Sequence, residues 1–152
     1  MSASQTLNAK DVDDRKAADH HTVCQVVEQY FTCLNQQQFD QMASLFADDG
    51  KMYPPFDGAI VGNEAIERYL RKSATDMSAN PQQWEVVQTA EGDWKVNVTG
   101  KVTAIVFKVR VNWHFDITSA GEISAARIKL LASPKELLNL RSVAPQEVPS
   151  MS

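Results

Sequence analysis

Val109-Arg110-Val111-Asn112-Trp113-His114-Phe115-Asp116-Ile117 is the stretch that decides the fold. Its odd positions are apolar and its even positions polar, the period of a β-strand with one dry and one wet face. Trp113 stands at the middle of the dry face. Its indole N–H is a donor that needs an acceptor when buried. A donor set among apolar side chains is the first candidate binding feature of the chain.

Working outward, Trp94, Val96, Val98, Val102 and Ala104 alternate with Lys95, Asn97, Thr99, Lys101 and Thr103 in a second strand. Apolar parity changes sides between Ala104 and Val109, so a hairpin turn is expected in Ile105-Val106-Phe107-Lys108, although no Gly, Asn or Pro marks it. Such an apolar tip either folds back over its own core, lines a pocket mouth or touches another subunit. Past Ser119-Ala120-Gly121 a third strand runs to about Leu131, with Ala126, Ile128 and Leu130 on one side.

On the N-terminal side, Val23, Val26, Val27, Tyr30, Phe31 and Leu34 recur at helical spacing and give a broad apolar face. Tyr30 lies on that face, so its hydroxyl also needs a partner in the core. Phe39, Met42, Leu45 and Phe46 form a second short helix, which Asp49-Gly50 is expected to stop. Pro54-Pro55-Phe56 forces an extended segment, and Ala59-Ile60-Val61-Gly62 makes a short strand. A third helix starts near Asn63 with Ile66, Tyr69, Leu70 and Met77 as its buried stripe. Ser133-Pro134-Lys135-Glu136 is a helix start, with Leu137, Leu138 and Leu140 as the apolar face of a final helix. Residues 1–19 and 142–152 lack periodicity and are expected to be loose tails around one domain, 20–141. Helices first and antiparallel strands after them give an α+β fold. Three N-terminal helices wrapped into the concave side of a curved sheet, with a short C-terminal helix, make a cone with an apolar interior. That is the nuclear-transport-factor-two-like architecture, which hosts many functions and fixes none of them.

The chain has 152 residues, enough for one domain with a sizeable core. Its net charge of −4 argues against nucleic acid or an anionic membrane surface as the main partner. No apolar run is long enough to span a bilayer. The polar first twenty residues give no secretory signal, so a cytoplasmic location is expected. Cys24 and Cys33 fall on one helix with roughly 13 Å of rise between them, too far for an internal disulfide. They are either small apolar fillers in a reducing compartment or, where exposed, a bridge between two chains.

With the elements in order, longer strings become informative. Asp49-Gly50, Pro54-Pro55-Phe56, Ile60-Val61-Gly62, Val98-Thr99-Gly100-Lys101-Val102, Trp113-His114-Phe115 and above all Leu130-Leu131-Ala132-Ser133-Pro134-Lys135-Glu136-Leu137-Leu138-Asn139 resemble the C-terminal domain of the orange carotenoid protein family. The resemblance covers about residues 22–141 and is to the stand-alone homologues of that domain. It implies a water-soluble carrier of a ketocarotenoid of the canthaxanthin or echinenone type, with photoprotection by singlet oxygen quenching as a further role. It implies that Tyr30 and Trp113 donate to the pigment carbonyl, and that Leu34, Phe107, Ile128 and Leu130 line the pigment tunnel. Ser73 and Val106 stand where the two-domain family members carry a glutamate and a tryptophan that hold the helical domain. Implied partners are a second copy of the chain on the loaded form, helical carotenoid proteins that receive pigment, and a transient membrane contact for pick-up.

Two other readings share this fold. A small isomerase or cyclase needs a pocket acid or base, yet no His, Asp or Glu falls on the expected dry faces, and no metal-spaced cluster occurs. A protein-binding module would use the apolar hairpin tip or the sheet face.

Overall fold

The computed structural model describes residues 17–104 and 107–131, with Phe107 described by its backbone alone. The N-terminal segment 1–16, Ile105, Val106, the expected final helix and the C-terminal segment lie outside the described residues. The chain runs α1 (His20–Asn35), α2 (Phe39–Ser44), β1 (Phe46–Tyr53), β2 (Ile60–Val61), α3 (Asn63–Ser73), β3 (Ser78–Gln88), β4 (Trp94–Ala104), β5 (Phe107–Ile117) and β6 (Ile123–Leu130). The strands form one six-stranded sheet in the order β2-β1-β6-β5-β4-β3. The α+β architecture expected from the sequence is the one observed.

The alternation in β5 is realised without exception. Val109, Val111, Trp113, Phe115 and Ile117 are all buried, and Trp113 retains 2% exposure. β4 pairs with β5 in an unbroken antiparallel ladder from Trp94↔Ile117 to Ala104↔Phe107. Only two residues therefore connect them, and Phe107 and Lys108, expected in the turn, belong to the strand. The predicted face of α1 packs inward, burying Val23, Val27, Tyr30, Phe31 and Leu34. The Asp19 carboxylate caps this helix by accepting from the Thr22 N–H (2.9 Å).

Two strands depart from the sequence reading. β1 begins at Phe46, so Asp49-Gly50 lies inside a strand and ends no helix. The strand runs parallel to β6, the one parallel pairing of the sheet, with an irregularity between Phe46 and Lys51. Gly50 sits in that irregularity because a Cβ there would meet the Ile123 carbonyl oxygen at 2.9 Å. β3 was not anticipated. It is an edge strand in which Ala79 is buried and Trp84 and Val86 pack against the core, but an irregularity between Pro81 and Gln83 breaks the alternation; Pro81 is tolerated because the strand lies at the edge. Met77 falls after α3, in the turn that leads into β3.

Side-chain amides fasten the helices to this sheet. Asn35, the last residue of α1, donates to the Ala79 carbonyl (2.9 Å) and accepts from the Ala79 N–H (2.7 Å). Asn63, the first of α3, donates to the carbonyls of Ala43 (2.8 Å) and Phe46 (3.1 Å). Asn35 satisfies backbone groups of the edge strand β3, and Asn63 those where α2 passes into β1.

Gly100 is the tightest point of the sheet. A Cβ there would lie 2.2 Å from the Asn80 carbonyl oxygen, beside the irregularity at Pro81. Gly100→Ala therefore forces β3 away from β4 and should cost about 2–3 kcal/mol. Gly58→Ala, with no atom near its added methyl, should change stability by less than about 0.5 kcal/mol. Urea midpoints at unchanged slope check both.

Candidate functional site

The helices do not fill the concave side of the sheet completely. A cavity of about 280 Å³ remains between α1, α3, the β1–β2 loop and strands β4 to β6. Tyr30, Trp113, Leu34, Ile128 and Leu130, each expected at the site, all line it. The Phe107 side chain lies outside the described residues.

Helical and strand periodicity bring the two donors together. Tyr30 and Phe31 are neighbours on α1, whereas Trp113 and Phe115 are alternate residues on β5. The Tyr30 ring meets Phe115 edge to face at 4.8 Å, and Phe31 meets Trp113 in the same way at 4.8 Å. Tyr30 and Phe31 also stand edge to face, at 5.1 Å. Such contacts are favourable and fix ring orientation. Tyr30 and Trp113 are among the largest fully buried side chains of the chain. No described protein group accepts a hydrogen bond from either. The polar atoms both sealed from solvent and unpartnered are Thr89 Oγ1 and Trp94 Nε1, so the Tyr30 and Trp113 donors border the cavity. Burial pushes the Tyr30 phenol pKa well above its ordinary value, which keeps it a donor at neutral pH.

The walls hold more than the sequence disclosed. Met42, Met52 and Met77 come from three separate segments and all face the cavity. They are every methionine of the chain apart from Met1 and Met151, a signal available from the start. Thioether side chains adapt to irregular apolar ligands. The β1–β2 loop brings Pro54, Pro55, Phe56 and Asp57 to the wall, and Phe56 is half exposed there. The Tyr69 hydroxyl donates to Asp57 Oδ2 (2.9 Å). Tyr69 is pushed up to about 12, first by burial and then by that bond. Asp57 thus places a carboxylate on the cavity wall, from a loop where the reading of strand and helix faces had no means to find it. Ser73 also borders the cavity.

Elsewhere the described residues offer little chemistry. No group of three or more His, Cys, Asp or Glu among them could hold a metal ion. No described helix is long and apolar enough to cross a membrane. Cys33 is buried and Cys24 half-buried, both as free thiols. Burial raises each thiol pKa, with Asp40 and Glu28 adding to the effect at Cys33 and Cys24 respectively.

The SnoaL-like domain family matches residues 27–128. The chain is 38% identical over 118 residues to the orange carotenoid-binding protein of Limnospira maxima, covering 75% of this chain and 37% of that protein. It is 36% identical over 114 residues to the protein of the same name from Synechocystis sp., covering 72% and 36%. Among solved structures, the Anabaena (Nostoc) sp. orange carotenoid protein binding canthaxanthin superposes with a TM-score of 0.67 at 36% identity, over 75% of this chain and 38% of that one. The chain therefore spans little more than a third of the length of these relatives.

The raised phenols make stability sensitive to alkali. Up to about pH 10, the ordinary tyrosine pKa, folded and unfolded chains both keep the proton. Above it the unfolded chain releases a proton that folded Tyr30 retains, so stability falls as pH rises. Tyr30→Phe should flatten the decline between pH 10 and 12, and Tyr69→Phe should flatten it less. Urea midpoints measured across that range for the three proteins check the order.

Proposed function

The chain belongs to the SnoaL-like domain family and is homologous to orange carotenoid-binding proteins, and from that premise we propose that it binds a ketocarotenoid of the canthaxanthin or echinenone type and carries it in water. The observation that supports this reading best is the pair of buried donors, Tyr30 and Trp113, which have no acceptor among the described residues and share the wall of one mainly apolar cavity. A pigment carbonyl supplies the acceptor they lack. An O–H and an N–H donating to one oxygen act as an oxyanion hole does, drawing electron density toward that end of the polyene and shifting absorption to the red. Each bond contributes only about 1 kcal/mol net. Affinity comes mainly from apolar burial, at roughly 25 cal/mol per Å², against Leu34, Ile128, Leu130, the three methionines and, as the family resemblance implies, Phe107.

A volume of about 280 Å³ lies at the small end of ligand pockets, roughly 300–1,000 Å³. It takes one end ring and leaves the rest of the polyene outside. Two chains capping the two ends of one pigment would cover it, so the loaded form is read as a homodimer. A helical carotenoid protein that accepts the pigment is the other cover. Quenching of singlet oxygen by the bound polyene is a compatible second role. On this reading the protein is a carrier, and Asp57, the carboxylate on the wall, accepts the Tyr69 hydroxyl.

Apoprotein mixed with canthaxanthin should give a red-shifted visible band that co-elutes with the protein at twice the monomer mass. Tyr30→Phe and Trp113→Phe should keep the far-ultraviolet dichroism, lose part of the shift and weaken binding roughly fivefold each. A carotene without keto groups should bind less tightly and respond to neither substitution. Unchanged spectra in both variants would remove these two residues from the site.

A further inference from the structure

The alternation that builds the cavity also sorts charge. The chain has 15 Lys and Arg against 19 Asp and Glu. Strands β4 to β6 carry Lys95, Lys101, Lys108, Arg110, Arg127 and Lys129, but only one acid, Asp116. All these residues occupy the solvent face, opposite the cavity. The register makes the cations neighbours: Lys101 faces Arg110, and Lys129 faces Asn112, two residues farther along β5. Lys108 follows on the same side.

Charge pairing divides this face in two. At one end Asp116 accepts from Lys95 (2.8 Å) and Arg127 (2.6 Å), with His114 3.4 Å away. Partial burial raises the Asp116 pKa, but the bonds and charges of Lys95 and Arg127 outweigh it and hold the carboxyl below its ordinary value. That end carries one anion between two cations, so its charge is partly offset. At the hairpin end, Lys101, Lys108, Arg110 and Lys129 are exposed, and none has an ion-pair partner among the described residues. Directly behind them, on the inner side of the same strand segments, Val102, Val109, Val111 and Leu130 wall the cavity.

We propose that this hairpin-end cationic patch docks the protein on an anionic phospholipid surface. The partner follows from three properties of the patch. It is a single-sign array on an open sheet face, which suits an extended anionic plane. It lacks the interleaved aromatics of a nucleic-acid-binding sheet. And it backs a cavity whose proposed occupant dissolves in bilayers and not in water; in this respect the inference rests on the carrier reading. The net charge of −4 had argued against such a surface, but the field near a membrane is set by the charges within about a Debye length, roughly 8 Å at physiological salt. The excess acids lie outside these strands and keep the free protein soluble.

The test uses the pigment-free full chain and sedimentation with vesicles. Partition should be at least tenfold higher into phosphatidylglycerol–phosphatidylcholine vesicles than into pure phosphatidylcholine, and high salt should abolish the difference. Each Lys or Arg near an anionic surface contributes roughly fivefold. Lys101→Gln with Arg110→Gln and Lys129→Gln should therefore lower partition about a hundredfold. A charge-matched control on α3, Arg68→Gln with Arg71→Gln and Lys72→Gln, should stay near wild type. Equal partition into neutral and anionic vesicles, equal losses in the two variants, or binding to polyglutamate or duplex DNA in place of vesicles would each overturn the proposal. Pigment delivered from organic solvent is scored separately by spectrum. A colourless but vesicle-binding chain would fault the carrier reading alone, and a coloured chain indifferent to anionic lipid would fault this inference alone.

Discussion

Everything in this molecule is referred to the edge-to-face packing of two consecutive aromatics of α1 against two alternate aromatics of β5. Tyr30 on Phe115 and Phe31 on Trp113 each close to 4.8 Å. Because helix neighbours diverge by about 100° around their axis while alternate strand residues point the same way, the two contacts cannot both be satisfied at another rotation of the helix. They fix how α1 lies in the sheet. They also stop the helix from closing onto the strand beyond them, where the smaller Leu34, Val111 and Leu130 leave the cavity. The void is thus a consequence of large side chains at one level and smaller ones at the next. Its two buried donors are held by rings that have no freedom to turn away.

The same geometry sets how much was legible in advance. β5, β4 and α1 carry strong periodicity because each is dry on one side and wet on the other, and the sequence reading located them and the donors they bear. β3 was missed because its inward residues, Ala79, Trp84 and Val86, are put out of step by the irregularity between Pro81 and Gln83 and show no continuous alternation. β1 was misread because its middle residues, Asp48, Asp49 and Gly50, look like a terminator. Gly50 is required there by the close approach of Ile123 across a parallel pairing, and a long-range contact of that kind leaves no local trace. Asp57 and Tyr69 met the same obstacle, since their bond joins a loop to a helix twelve residues away. The resemblance to carotenoid-binding proteins supplied the role of the two donors, which periodicity alone could only call core aromatics in need of partners.

Polar groups show a consistent division of labour. Asn35 spends its amide on backbone groups of the edge strand β3, and Asn63 on carbonyls where α2 passes into β1. Asp116 is consumed by Lys95 and Arg127. Tyr69 is committed to Asp57. Of the polar side chains that border the cavity, Tyr30 and Trp113 are the deeply buried ones, and both offer donors. On the proposed reading, the Tyr30 O–H and the Trp113 N–H favour a ligand that carries an acceptor, because a buried group left unpaired costs more than a made bond returns. A ketone meets that requirement, and a hydrocarbon ring end does not.

Strand parity finally allows the two surfaces of the sheet to be specified independently. Residues 109, 111 and 113 shape the cavity, and 108, 110 and 112 face water, with no side chain shared between the two sets. A change of charge on the outer set alters the field of the face without touching the packing behind it, and a change of volume on the inner set does the reverse. The thin layer between them is a single backbone, so a bilayer held against the outer cations would lie within about one sheet thickness, roughly 10 Å, of the cavity wall. Surface recruitment and ligand burial then depend on separate sets of side chains on the two sides of one backbone layer.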